Sequence, residues 1–363
     1  MTEKQWRSTI LALVAVFLVV FFFIPGEGKR PAQTEETVSF IPPLSIPMAS
    51  VDDVRAIYLT AQTAARPERV QALIDLVKTT ELNAVVINVK DSDGIYLDGN
   101  MRRVVEKLLA NGIYPIARMV VFQDNFLART RPELALKNRD NSLWRGNNGA
   151  LWIDPASIAV WDYNANIAEE ALAIGFKEIN LDYIRFPSDG DVSEIVYPFY
   201  NASSSKSAVM RDFFDYFSSR LKADRPQAVL SADLFAFSFI QDDGLGVGQR
   251  VPVAAEYFDV LSPMIYPSHY TPGNFGFENP AEHPYEVVSS TLASGQKFFP
   301  DSLKKAIVRP WLQSFNLGAE YTPAMVRQEI QALLDRGFRN SWMLWNPNNV
   351  YNPDNFLKRR EYN

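Results

Sequence analysis

The sequence predicts a single (β/α)8 (TIM) barrel, placed after an N-terminal membrane anchor and a linker. Two observations carry that prediction. From residue 51 to about residue 350, eight short apolar runs alternate with seven helical stretches, the order of a parallel sheet covered by helices. The turn after the first run, Thr60-Ala61-Gln62-Thr63-Ala64, contains no glycine, whereas an open doubly wound sheet would want a Gly-rich phosphate loop there.

Ile10–Ile24 is an unbroken apolar run behind Lys4 and Arg7. With Ser8, Thr9 and Pro25 it approaches the roughly 17-residue lower limit of a spanning helix. Its Phe-Phe-Phe-Ile-Pro end lacks the small residues of a cleavage site. Residues 1–25 are therefore expected to form an uncleaved single-pass anchor in the cell membrane. The barrel then lies on the extracytoplasmic side, or is secreted if the segment is removed. Lys29 and Arg30 on the far side weaken the charge asymmetry behind that orientation. Residues 26–50 carry Pro31, Pro42, Pro43, Pro47 and Glu35-Glu36 with no helical or strand period, which reads as a linker.

Strands are expected at Val54–Leu59, Ala84–Val89, Ile113–Val121, Glu178–Ile184, Ala228–Leu234, Val260–Ile265, Ala306–Trp311 and Ser341–Trp345. Helices are expected at Pro67–Thr79, Met101–Asn111, Ser157–Ile174, Ser207–Ala223, Val253–Phe258, Pro284–Phe299 and Pro323–Arg336. Several open with proline, a favoured first-turn residue. Gly112, Gly175 and Gly337 stand where left-handed C-caps belong. Residues 351–363 read as a frayed tail.

Composition narrows the chemistry. The chain has 363 residues, a formal net charge of −6, no cysteine and two histidines, His269 and His283. The charge gives no footprint for nucleic acid. Without cysteine there is no disulfide, thiolate metal site, lipidated cysteine or Cys nucleophile. Neither histidine follows a nucleophile-elbow context. No nucleotide or flavin signature is present, so no organic cofactor is expected.

In such a barrel function sits at the C-terminal ends of the strands. The richest end is EINLDYIRFPSDG, Glu178–Gly190. Strand alternation puts Asn180, Asp182 and Ile184 on one face and Leu181 and Tyr183 on the other. A carboxylate in so apolar a strand is costly to bury unless it is paired or used. Arg185 is expected to pair with Asp182 and keep it charged. The other ends supply Asp91 and Asp93 after the second strand, Arg118 and Asp124 around the third, and Asp233 on the fifth. Tyr266, Ser268 and His269 follow the sixth; Arg309, Trp311 and Gln313 the seventh; Trp345 and Asn346 the eighth. Aromatic faces, carboxylates and amides converging on one rim suit a sugar cleft. The long loop of roughly Phe122–Ile158 adds Trp144 and Trp152, either as a substrate wall or as packing.

Five stretches, KDSDG, ARMVVFQDNFLA, LWRGNNGALWIDPAS, INLDYIRFPSDG and SPMIYPSHY, together resemble the putative glycoside hydrolase barrel of many bacterial surface proteins, over about Val54–Val350. That family is similar in fold to α-amylase-type and other glycosidase barrels, which implies a carbohydrate substrate. Glycoside hydrolysis needs two carboxyl groups across the scissile bond, and adjacent strands about 5 Å apart bring Asp182 and Asp233 within reach of each other. Similarity to α-amylase-type barrels assigns Asp182 as nucleophile and Asp233 as general acid/base. This chain departs from that pattern in having Asp233 where a Glu acid stands, and Trp311-Leu312-Gln313 where a third carboxylate stands. Arg185 occupies the place of the Glu that a chitinase-type site needs. Asp91, Asp93 or Asp124 are alternative second carboxylates. The expected function is a membrane-tethered glycoside hydrolase or transglycosylase acting on an extracellular or cell-wall polysaccharide. The alternatives are a non-catalytic carbohydrate-binding barrel and a metal-dependent deacetylase using Asp91, Asp93 and His269.

Overall fold

A computed structural model describes residues 48–298 and 306–359. The expected anchor, most of the linker and the end of the tail lie outside the described residues. No helix among the described residues is long and apolar enough to cross a membrane.

The strands are β1 Arg55–Leu59, β2 Ala84–Lys90, β3 Tyr114–Val120, β4 Glu178–Asp182, β5 Val229–Phe235, β6 Val260–Ile265, β7 Ile307–Val308, β8 Trp311–Gln313 and β9 Trp342–Trp345. Their order is β5-β4-β3-β2-β1-β9-β8-β6-β7, and pairing of β5 with β6 closes the sheet. Every strand pairing is parallel. The result is the expected eight-position barrel, in which β7 and β8 share one position.

That split has a local cause. Pro310 has no N–H to give to a ladder, so pairing stops after Val308 and resumes at Trp311. Arg309 therefore sits low in the barrel and Trp311 high.

Around the sheet run α1 Ala61–Ala64, α2 Pro67–Thr79, α3 Gly99–Ala110, α4 Asn125–Thr130, α5 Ile158–Ile174, α6 Lys206–Asp224, α7 Val251–Tyr257, α8 Pro284–Gln296 and α9 Pro323–Asp335. α5 ends on Gly175 at φ 116°, a left-handed cap that a side chain would strain. Residues 351–357 do not fray. Tyr351 Oη donates to Tyr58 O at 2.8 Å, the Phe356 ring stacks on Trp342 at 6.4 Å, and Leu357 N donates to Glu81 Oε1 at 2.9 Å. This strap covers β1 and β9, where an eighth outer helix would otherwise lie.

Candidate active site

The C-terminal end of the barrel opens into a cavity of about 420 Å3. Alternation along three neighbouring strands builds its floor. Arg118 on β3 is in register with Asn180 on β4, which is in register with Ser231 on β5. Asp182 and Asp233 each stand two residues further on and so share that inward face.

One guanidinium joins the two carboxylates. Arg118 Nη2 donates to Asp182 Oδ2, Arg118 Nη1 donates to Asn88 Oδ1 at 2.6 Å, and Arg118 Nε lies 3.8 Å from Asp233 Oδ2. Tyr58 and Trp345 stack on each other at 3.9 Å, and the guanidinium lies 5.7 and 4.9 Å from their centroids. Burial works against the Arg118 charge, but Asp182 leads the charges that outweigh it, so the group stays above its ordinary value.

Asp233 is in a different condition. Its Oδ1 accepts from Asn180 Nδ2 and Trp311 Nε1, both at 2.8 Å, while its Oδ2 has no hydrogen-bond donor. Burial pushes this carboxyl well above the carboxylate range, and the Asp182 charge adds to it; Arg118, Asn180 and Trp311 pull the other way. Asp182 takes a second bond on Oδ1 from Tyr183 N at 2.6 Å.

Tyr183 departs from the expected alternation. The strand ends at Asp182, and Tyr183 adopts φ 55°, a region that bulky residues enter only when their surroundings impose it. The twist brings Tyr183 to the cavity wall instead of the opposite face.

Of the expected site residues, Asp182, Asp233, Arg185, Tyr266, His269, Trp311 and Trp345 all line this cavity. Burial lowers the His269 pKa, which favours the neutral ring. Arg185 does not pair with Asp182. Its Nη1 donates to Phe186 O at 3.0 Å and Ser188 Oγ at 3.2 Å, because the turn after Tyr183 carries it away from β4; Arg118 takes the Asp182 contact.

Seven expected contacts stand elsewhere. Arg309 lies at the opposite end of the barrel, paired with Glu178 at 2.8 Å and at 0% exposure, because β7 breaks below it. Asp124 is buried, caps α4 through Leu127 N at 2.6 Å and pairs with Lys90 at 2.8 Å. Asp91 is used by its own turn, accepting from Asp93 N, Gly94 N and Tyr96 Oη. Gln313 accepts from Ser268 N at 3.1 Å and so braces the loop that carries His269. Asn346 donates to Val350 O at 2.7 Å and holds the start of the strap.

Trp144 and Trp152 of the long loop are 2% and 0% exposed, so these two rings pack the loop down and do not form an open wall. Bridges Gln123–Trp152 and Ala135–Ile153 fold it onto itself. Among the described residues no group of three His, Asp or Glu side chains could hold a metal; Asp91, Asp93 and His269 are not brought together, so the deacetylase arrangement is absent.

The sequence places Arg118 on the rim without a role, and does not select Asn180, Tyr183, Phe235, Phe237 and Tyr270 as site residues. The available signal was Arg118 itself, a lone cation inside a strand buried along its whole length.

No curated protein matches the chain. Among solved structures, a hypothetical protein from Ruminiclostridium thermocellum ATCC 27405 is 32% identical, covering 53% of this chain and 99% of its own, with a TM-score of 0.44. An α-galactosidase from Thermus thermophilus is 16% identical over 87% of this chain and 65% of its own, with a TM-score of 0.54. Amy13B from Eubacterium rectale is 9% identical over 83% and 67%, with a TM-score of 0.51. The last two likenesses are likenesses of fold. Residues 56–351 match the family described as "Putative glycosyl hydrolase domain", and the chain belongs to that family.

Proposed function

We propose that the protein is a glycoside hydrolase that cleaves an extracytoplasmic polysaccharide with Asp182 and Asp233, held at the membrane by residues 1–25. The observation that carries this reading is the unequal state of two carboxyls facing one cavity. Asp182 is bonded to a guanidinium and a backbone N–H, while Asp233, nearly buried in the cavity floor, is pushed toward its neutral form and has no hydrogen bond on Oδ2. A carboxyl pushed toward its neutral form beside one bonded to a guanidinium suits a division of acid and base roles. Asp233 donates its proton to the glycosidic oxygen, and Asp182 attacks the anomeric carbon or stabilises its developing positive charge. Arg118 fixes the Asp182 carboxylate, and the Tyr58–Trp345 stack fixes Arg118.

The opposing observation is that Arg118 reaches both carboxyls, which favours a carbohydrate-binding barrel without turnover. Two substitutions separate the readings. Asp182→Asn and Asp233→Asn should each lower turnover of the cognate polysaccharide by about 10²–10⁴-fold while leaving glycan affinity within a few fold. Product release measured on a panel of extracellular and cell-wall polysaccharides tests this. Binding by the wild type without any reducing-end release would replace the hydrolase with the binding barrel.

A further inference from the structure

We propose that Arg185 is an anion-recognition residue and that the ligand of this cleft carries a carboxylate, making the substrate class an acidic polysaccharide with uronic acid units. The inference rests on the reading above that the cavity takes a glycan, and it names the kind of glycan.

Arg185 lines the cavity and is only 8% exposed. Buried charges in proteins are paired or hydrogen-bonded, because an isolated one is expensive to desolvate. Arg185 forms no ion pair among the described residues. Asp182 and Asp189 lie near enough to act on it electrostatically, but each is committed elsewhere, Asp182 to Arg118 and Asp189 to Asn147 N at 3.0 Å.

What surrounds the guanidinium is aromatic. The Trp152, Tyr183 and Phe235 centroids lie 4.9, 5.2 and 4.5 Å from its central carbon. Ring faces attract a cation, and three of them lie around this one, yet none accepts a hydrogen bond from it. Burial pulls the Arg185 pKa below its ordinary value, as expected of a charge whose environment does not fully compensate it.

The bonding of the nitrogens is asymmetric. Nη1 is fastened to Phe186 O and Ser188 Oγ. Among the described residues Nε and Nη2 have no acceptor, and neither is among the sealed polar atoms without a partner, in a side chain that lines the cavity. A guanidinium anchored through one nitrogen with two donors left open is suited to the parallel two-bond grip that a carboxylate accepts. The tilt of Tyr183 out of the strand, at φ 55°, keeps one of the three rings in place beside it.

The test is the affinity of the full chain, in detergent, for oligomers of hexuronic acids and for the same oligomers after carboxyl reduction, by titration calorimetry. The wild type should favour the acidic oligomer by roughly ten- to a hundredfold, the worth of a charge-assisted pair of bonds. Arg185→Met should erase that preference. Arg185→Lys should restore part of it, since the charge returns without the fork. Ser188→Ala, which loosens the anchor without removing the cation, should weaken the preference in a chain that stays folded even if Arg185→Met does not.

Equal affinity for acidic and reduced oligomers, including no binding of either, overturns the proposal. So does tighter binding of a sulfated neutral oligomer than of the uronate. Acidic preference without chain cleavage would overturn the hydrolase reading and leave this one standing. Cleavage of the reduced oligomer with undiminished efficiency would do the reverse.

Discussion

The two ends of the barrel hold the same chemistry in opposite conditions. At the closed end, Arg309 Nη1 bonds both Glu178 oxygens at 2.8 and 2.9 Å, and its other nitrogens bond Ser341 Oγ and Val51 O. Both side chains are at 0% exposure. At the open end, Arg118 holds Asp182 but faces Asp233 across 3.8 Å, and Arg118 Nε and Asp233 Oδ2 are both left without a hydrogen bond. A buried ion pair offsets its desolvation only when every donor and acceptor is used. At the closed end every Arg309 nitrogen and both Glu178 oxygens are bonded, and the pair reads as structure. The open end is not bonded in this way, and groups left unsatisfied in a native site call for another explanation.

The comparison breaks most severely at the closed end. Arg309→Met strands the Glu178 carboxylate and should cost about 3–5 kcal/mol, read as a lowered urea midpoint. Adding Glu178→Leu should recover much of that loss, because two apolar residues remove the uncompensated charge. If Arg309→Met unfolds at the same midpoint as the wild type, the closed end is not the structural pair described.

At the open end the sign of pH dependence is the sharper probe. The folded pKa of Asp233 is raised above its ordinary 3.8. The folded protein therefore holds a proton that the unfolded chain has lost, and stability falls as pH climbs from about 3.8 toward the raised value. Asp233→Asn should remove that decline, so its advantage over the wild type grows with pH; parallel stability curves would contradict the protonation assigned to this group. The smallest effect belongs to Trp311→Phe. It deletes an N–H that favours the charged form of Asp233, so the alkaline limb of kcat/KM should move up by about one pH unit. A downward move would mean that the limb belongs to another residue.

Much of the fold was legible because period and punctuation suffice for it. Pro67–Thr79 and Val260–Ile265 match the expected bounds without change, and the other strands differ from expectation by a residue or two, apart from the broken seventh. The site was legible only in part. Alternation states which face a side chain takes but not its height along the barrel, so Arg309 and Trp311 read alike although Glu178 receives one and Asp233 the other. It also fails where the backbone leaves the strand, as at Tyr183. Arg118 acquires its role from β4 and β5, segments distant in sequence. Trp144 and Trp152 have the composition of a binding wall, and only packing against the barrel decides that they are beneath the surface.

The strap over β1 and β9 also orders events in time. Its Tyr351 contact with Tyr58 joins positions 293 residues apart, so the first strand to leave the ribosome waits for nearly the whole domain before its outer side is covered. Until β9 arrives to pair with it, β1 presents an open edge, the kind of surface that recruits wrong partners.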